Sequence, residues 1–273
     1  MDNKKNILIT GCSHGWIGYA TAIYLRDKGY QVFASARKQE DVDKLKAEGF
    51  DTYLIDVTNY QQVDNALETI LAKTAGKLDA VFNNAGFGQV GALEDIDTQF
   101  IKKQFETNVF AVHNLTNKAI KIMRKQGYGK IIQHSSILGL IGMRYRGSYV
   151  ASKYALEGMT DTMRLELRDT NIFISLLNTG PVTSKFRENA LKTIDNVEVE
   201  NSPHNKEYYR IMLGNHKPIP FNLPAIEVAK VVEKILIAKK PKPRYFITKA
   251  TWIMATLKKI LPTNTLDKVL RKY

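Results

Sequence analysis

Residues 7–18 read ILITGCSHGWIG, a short apolar run followed by a loop with three glycines. The chain is then amphipathic as far as Lys28 and stops at Gly29, which predicts a strand at 7–9 and a helix at 16–28. Glycines in such a loop let the backbone approach the diphosphate of a dinucleotide, which then lies against the amides at the helix start. Taken alone the pattern is weak, because turn glycines follow many strands.

The same alternation of apolar runs with helical stretches continues along the chain. We predict further strands at 31–34, 52–55, 78–82, 130–134 and 172–177, and helices at 40–48, 60–74, 105–123 and 149–167. Strands that alternate with helices in this way form a parallel sheet covered on both faces, the α/β class. Ligands bind such sheets beyond the carboxyl ends of the strands, where the polar and glycine clusters of this sequence fall.

The chain carries no repeat or linker that would divide it, which predicts a single domain over residues 1–273. One long irregular stretch, residues 188–223, contains several prolines and follows a strand end. Long loops inside compact domains are often functional, so we predict a substrate loop or lid there. Residues 249–273 are predicted to form a basic helical tail.

Charge and composition exclude several classes of protein. The 273 residues include 40 basic and 27 acidic side chains, a net charge of +13, of which +9 lies between residues 239 and 273. No nucleic-acid reading motif accompanies that charge, so we expect no nucleic-acid partner. The single cysteine, Cys12, excludes an internal disulfide and a cysteine-built metal site, and we expect no metal. No apolar stretch approaches the ~20 residues of a membrane span and no signal peptide begins the chain, which predicts a cytoplasmic protein.

Three residues suggest acid–base chemistry. Tyr149 and Lys153 stand four apart and share one helix face, and Ser136 lies 13 residues before the tyrosine, just after a strand. A free tyrosine has a pKa near ~10, and a nearby ammonium group lowers it toward the working range. The serine hydroxyl would then hold a substrate oxygen beside the phenol. The alternative is an exposed helical Tyr–Lys pair without function.

These motifs together resemble the short-chain dehydrogenase/reductase family. The resemblance rests on the glycine loop, NNAG at 83–86, the asparagine of ETNVF at 106–110, the serine, and YVASK at 149–153, all in family order. It implies a Rossmann-like, doubly wound sheet of about seven strands and NAD(P)-linked interconversion of carbonyls and alcohols. It also implies the catalytic set Asn108, Ser136, Tyr149 and Lys153. The resemblance, the glycine loop and the end of the second predicted strand together indicate the cofactor-binding residues. They are Gly11, Ser13, His14, Gly15, Ile17, Gly18, Arg37, Asp56, Val57, Asn83, Ala85, Gly86, Tyr149, Lys153, Gly180, Val182 and Thr183.

The end of the second predicted strand indicates which dinucleotide is used. NAD enzymes place a carboxylate there for the ribose hydroxyls, whereas residues 34–38 read ASARK, with no acidic side chain. Arg37 can pair with a 2′-phosphate, and His14 or Lys38 can add to it. The sequence therefore predicts NADP(H).

Two segments depart from the family pattern. Two residues separate Gly15 from Gly18 where the family has one, so either the loop is longer or Trp16 occupies a position that is usually glycine. The family usually has Pro-Gly after its sixth strand, where this chain has Thr179 and Gly180.

The stretch around YVASKYALEG and the KPRYFIT tail are similar to bacterial NADP-dependent aldehyde reductases near the retinol and hydroxysteroid dehydrogenase branch. We therefore expect an NADPH-dependent oxidoreductase of small apolar aldehydes or ketones, acting as a homodimer or homotetramer. The alternatives are a 3-oxoacyl carrier-protein reductase, which would use the same residues, and a non-catalytic dinucleotide-sensing module, which would not need the tyrosine.

The tail offers a second hypothesis. Apolar residues recur at helical spacing and predict one stripe on a helix that Pro262 ends; they are Ala250, Ile253, Met254, Leu257, Ile260 and Leu261. With Lys258, Lys259 and Trp252 beside it, such a helix can lie on an anionic membrane. The alternative is that the stripe packs on the protein itself or on a neighbouring subunit.

Overall fold

The computed structural model describes residues 5–212 and 220–271. Seven strands form one parallel sheet in the order β3-β2-β1-β4-β5-β6-β9, and β7 pairs separately with β8. The strands are β1 (Asn6–Ile9), β2 (Gln31–Ala36), β3 (Asp51–Leu54), β4 (Ala80–Asn83), β5 (Gly129–Ser136), β6 (Ile172–Thr179), β7 (Val182–Thr183), β8 (Leu223–Pro224) and β9 (Arg244–Phe246).

The helices cover both faces of this sheet, so the predicted doubly wound α/β fold is confirmed. They are α1 (Ile17–Asp27), α2 (Gln39–Ala47), α3 (Tyr60–Lys73), α4 (Thr98–Phe105), α5 (Ala111–Gln126), α6 (Gly147–Glu166), α7 (Phe186–Leu191), α8 (Asn205–Met212), α9 (Ile226–Ile237), α10 (Lys249–Ile260) and α11 (Thr263–Leu270). None of the helices in the described part of the chain has the length and apolarity to cross a bilayer.

The alternating side chains of the strands divide the core between the two faces. Ile7 and Ile9 pack on one face with α1 and α9, while Leu8 packs on the other with α3 and α5. Because every strand of the large sheet is parallel, the carboxyl ends of β1 to β6 meet at one edge. Each predicted site residue outside the helices lies at or just after one of these ends.

The stretch at 188–223 is not irregular as predicted. It contains the end of α7, a 3₁₀ turn at Lys192–Asn196 and the helix α8, while residues 213–219 of that stretch lie outside the described residues. Tyr208 of α8 is fully buried and donates a hydrogen bond to Asp95 (2.6 Å). This hydrogen bond joins residues far apart in the chain, so the local sequence pattern could not predict it. We call the described part of the stretch at 188–223 the helical cover.

The tail forms α10 and α11, with residues 272–273 outside the described residues. The predicted apolar residues lie on α10 or at its C-cap, but only some of them pack on the protein. Met254 packs inward, whereas Ile253 and Ile260 are exposed, because α10 contacts the body through its small residues Thr251 and Ala255.

Candidate active site

The glycine loop is shaped by its three glycines in two different ways. Gly11 and Gly15 have φ values of +74° and +83°, which side chains rarely adopt. A Cβ on Gly18 would lie 2.3 Å from the Gly11 carbonyl oxygen, so α1 can approach the loop only with glycine there. Trp16 caps α1 with an extended φ of −106°, and its backbone therefore does not require glycine. The two-residue spacing between Gly15 and Gly18 therefore leaves the positive-φ glycines and the close approach of Gly18 to Gly11 in place.

The loop is tied to the end of β4. Thr10 accepts hydrogen bonds from the backbone N–H groups of Asn84 and Ala85, both at 3.0 Å. A Cβ on Gly86 would meet the side chain of Asn108 at 3.0 Å. Asn83 itself is buried and donates to Thr116 and Gln133, so its side chain supports the end of β4 from inside the protein.

A cleft of about 690 Å³ opens beyond β2 and β3, and it is lined by Arg37, Asp56, Thr58, Asn59, Tyr60 and Gln62. Arg37 is exposed there, and the Asp56 carboxylate accepts hydrogen bonds from the backbone and hydroxyl of Thr58. His14 contacts Glu48 through Nε2 (2.5 Å), while its Nδ1 is buried with no hydrogen-bond partner among the described residues. The cleft therefore offers the guanidinium of Arg37, while His14 lies in the glycine loop with a buried imidazole nitrogen.

Tyr149 is buried at the start of α6, and its ring packs against Phe186 with the centroids 5.4 Å apart. Burial raises the pKa of Tyr149 to about 12, while the Ser136 hydroxyl and the Arg146 guanidinium act in the opposite direction. The net shift is opposite to the lowering that we predicted from Lys153. The reason is burial: desolvation disfavours the phenolate more than its neighbours favour it.

Lys153 is also buried, and its ammonium donates to the His134 carbonyl oxygen at 2.6 Å. Its Nζ lies 5.5 Å from the centre of the Tyr149 ring. Burial lowers the pKa of Lys153 to about 8, and the Glu157 carboxylate acts against that change. Tyr149 and Lys153 are therefore neighbours inside the protein, and the alternative of an exposed helical pair is wrong.

Asn108 lies in a π-helical turn, Glu106–Phe110, between α4 and α5. Its side chain accepts a hydrogen bond from the Phe87 N–H (3.2 Å) and donates to the Phe87 carbonyl oxygen (2.9 Å) and to Ser152 (3.2 Å). Such turns inside helices occur frequently at functional sites. The asparagine thus joins the segment after β4 to the helix that carries Tyr149.

The segment after β6 contacts α10 and the glycine loop. Gly180 packs against Thr248 at the start of α10, and Thr183 accepts a hydrogen bond from Asn222 (2.7 Å). Further on, the Lys185 N–H donates to the Gly15 carbonyl oxygen (3.0 Å), and the lysine side chain lies across that glycine. The backbone and side chain of Lys185, just before α7, therefore rest directly on the glycine loop.

A family model described as short chain dehydrogenase matches residues 5–195. The chain belongs to the short-chain dehydrogenase family.

Relatives with known names cover nearly the whole chain. It is 38% identical to the uncharacterized oxidoreductase YbbO of Escherichia coli K12, over 98% of this chain and 94% of the relative. It is 31% identical to bovine retinol dehydrogenase 8 (97% and 88%), which confirms the predicted branch of the family. It is also 31% identical to the NADPH-dependent 1-acyldihydroxyacetone phosphate reductase of Schizosaccharomyces pombe (80% and 74%).

Among solved structures, ElxO with NADP bound resembles this short-chain dehydrogenase with a TM-score of 0.72 and 26% identity, over 89% of this chain and 97% of that one. The relatives and this structure agree with an oxidoreductase of the family. The site residues named above stay predictions.

One part of this short-chain dehydrogenase's site was missed from the sequence. Glu157, one turn after Lys153, accepts hydrogen bonds from Ser135, Asn178 (2.6 Å) and Arg244 (3.0 Å) and is buried. The spacing of four from Lys153 to Glu157 was the available signal. The partner on β9 could not be foreseen, because the local pattern did not assign that three-residue strand.

Proposed function

We propose that this short-chain dehydrogenase is an NADPH-dependent reductase of apolar aldehydes or ketones, with Tyr149 as the general acid and base. The observation that carries this proposal is the position of the buried tyrosine. Its phenol lies beside Ser136 and Lys153 and within an apolar cluster that includes Leu138, Ile141, Phe186, Met254 and Leu270.

The residues present fit NADP(H). The positive-φ glycines leave a backbone cradle for the diphosphate, and the unpartnered Nδ1 of His14 lies in that loop. Arg37, with no carboxylate after β2, suits a 2′-phosphate. The dinucleotide would be held by Gly11, Ser13, His14, Gly15, Ile17, Gly18, Arg37, Asp56, Val57, Asn83, Ala85, Gly86, Tyr149, Lys153, Gly180, Val182 and Thr183. NADPH supplies the hydride when bound.

The protein's own part of the reaction is to orient the carbonyl and to donate a proton. The Ser136 hydroxyl donates a hydrogen bond to the substrate oxygen, and Tyr149 gives that oxygen its proton. With its pKa raised, the phenol is protonated near neutral pH and can act as the acid in the reduction. Lys153 holds its positive charge beside the phenol and balances the phenolate left after transfer, while Asn108 ties the backbone after β4 to Ser152 of α6.

Two alternatives remain testable. A 3-oxoacyl carrier-protein reductase would use the same four residues, but the apolar tail side chains next to Tyr149 favour a free apolar substrate. A dinucleotide-sensing module would not need the buried tyrosine. A homodimer or homotetramer and a cytoplasmic location stay predictions.

The deciding experiment measures NADPH oxidation with aliphatic aldehydes, retinal, ketosteroids and 3-oxoacyl thioesters. We expect turnover with the aldehydes or apolar ketones. Turnover confined to the thioesters would replace this proposal with the carrier-protein alternative, and NADPH binding without any turnover would favour the sensing module.

A further inference from the structure

Arg146 caps the N-terminus of α6, one helical turn before Tyr149. Its backbone forms an isolated parallel bridge with Gly91. Its Nη1 atom is buried, yet no hydrogen-bond partner for it exists among residues 5–212 and 220–271. A guanidinium carries five N–H donors and is expensive to bury without acceptors.

The surroundings of Arg146 add positive rather than negative charge. Arg187 follows Phe186, whose ring packs on Tyr149, and burial together with Arg187 lowers the pKa of Arg146 to about 10. Neither arginine forms an ion pair within the described part of the chain. The two acidic residues of the neighbouring loop, Glu94 and Asp95, bind other side chains.

The buried Nη1 of Arg146 has no acceptor among the described residues, which costs stability in the ligand-free protein, and the exposed Arg187 adds positive charge to its surroundings. An anion bound there would supply the missing acceptor and offset the positive charge. Arginine binds phosphate and carboxylate groups with paired hydrogen bonds, so these are the matching ligands. The dinucleotide's own phosphates are a second source of anionic groups, because Lys185, two residues before Arg187, contacts Gly15 of the glycine loop. The binding test below is therefore made on protein already saturated with NADPH.

We propose that Arg146 and Arg187 form an anion-binding subsite of the substrate pocket, which holds the phosphate or carboxylate group of an amphiphilic substrate. The substrate's carbonyl then faces Tyr149, and its chain lies along the apolar cluster of Leu138, Ile141 and Met254. This inference rests on the proposed function and narrows the substrate class from apolar carbonyls to those with an anionic end.

The first test measures binding and needs no turnover. Octyl phosphate, octanoate and 1-octanol are titrated calorimetrically into the protein with saturating NADPH. We expect one or both anions to bind at least tenfold more tightly than the alcohol, and the stronger of the two identifies phosphate or carboxylate. Arg146→Met and Arg187→Met should each weaken that anion's binding at least tenfold.

Arg144→Met is the matched control, because Arg144 is exposed two residues away and donates to Tyr145 instead (2.9 Å). It should bind the anions as the wild type does. Equal binding of alcohol and anions by the wild type, or unchanged anion binding in both Arg146→Met and Arg187→Met, overturns the inference.

The second test uses stability. If Arg146 is an uncompensated buried charge, Arg146→Met should raise the Tm of the ligand-free protein and abolish the further rise that octyl phosphate or octanoate gives the wild type. A lower Tm in Arg146→Met would mean that the arginine stabilises the fold, which contradicts the inference.

The kinetics of two aldehyde substrates, one with a free carboxylate and one without, separate this inference from the proposed function. Wild-type protein should reduce 9-oxononanoate with a kcat/KM at least tenfold above that of its methyl ester, and Arg187→Met should lose that preference. Equal use of acid and ester overturns the subsite while leaving the reductase proposal standing. If neither aldehyde nor the wider panel is reduced, the proposed function fails, and the octyl titrations still decide whether the arginines bind anions.

Discussion

At the nucleotide end of the cleft, the surface is mostly backbone from one short segment, residues 10–18, with Arg37 beyond it. At the substrate end, the surface is side chains from α6, α7 and α10, which lie far apart in the sequence. The first end tolerates few changes, since a methyl group on Gly18 would collide with the loop. The second can change by single side-chain replacements. Under the proposed function, we therefore expect cofactor choice and substrate choice to depend on different kinds of structure.

The strongest test of the substrate end is Tyr149→Phe. We expect kcat to fall by about 10²–10⁴-fold, because the phenol's proton is lost while the ring and its packing on Phe186 remain. NADPH binding, followed by fluorescence, should stay close to that of the wild type. Retention of more than about a tenth of kcat would remove Tyr149 from the reaction.

At the nucleotide end, Arg37→Asp should lower the preference for NADPH over NADH, measured as the ratio of kcat/KM values, by roughly 10- to 100-fold. The estimate is the value of one charge-assisted hydrogen-bonded contact. Lys44→Asp, an equal charge change at an exposed position of α2, is the control and should leave the ratio unchanged. If the two variants behave alike, Arg37 does not read the phosphate.

Substitutions at two helical glycines test how strongly packing constrains the backbone of the glycine loop. Gly18→Ala should lower the free energy of unfolding by about 1–3 kcal/mol, because the new methyl would meet the Gly11 carbonyl. Gly158→Ala, in α6, has open space and should raise it by up to about 1 kcal/mol. Urea denaturation measures both, and equal effects would contradict the crowding argument.

A smaller effect is expected behind the substrate end, where Glu157 acts as a positioning residue for Lys153. Lys153 must be protonated to stabilise the phenolate, so activity should fall as pH rises through its pKa of about 8. The Glu157 carboxylate raises that pKa, and Glu157→Gln should therefore move the alkaline limb of the kcat profile to lower pH. Glu157→Asp should restore part of the shift. A profile that keeps its alkaline limb would show only a structural role.

The smallest effect concerns the tail. Trp252 (60% exposed) and Ile260 (66%) lie on the outward side of α10 with Lys259, and each lysine near an anionic bilayer contributes about 1 kcal/mol. Sedimentation with anionic vesicles at low salt should show weak binding that Trp252→Ser and Ile260→Ser together reduce. Leu165→Ser, an equally exposed apolar residue on α6, should have no effect. Absence of wild-type binding would contradict the membrane hypothesis.

Much of the fold follows from local sequence. Strands β1 to β6 and most helices between them are apolar runs and amphipathic stretches whose boundaries lie within a few residues of those predicted. The exception is the helix predicted at 105–123, because α4 (Thr98–Phe105) and the π-helical turn before α5 were not predicted. The helical cover at 188–223 and the strand β9 were not predicted. Tyr208 and Arg244 hold these segments through Asp95 and Glu157, contacts between residues far apart in the chain.

The sequence by itself determined the order of most strands and helices, the glycine loop and the absence of a carboxylate at residues 34–38, because each depends on neighbours along the chain. Only the tertiary structure decided that Tyr149 is buried, that its pKa rises rather than falls, and that the Nη1 of Arg146 is buried without a hydrogen-bond partner among the described residues. Desolvation and the balance of charges depend on which distant segments pack around a group, and spacing along the chain does not contain that information.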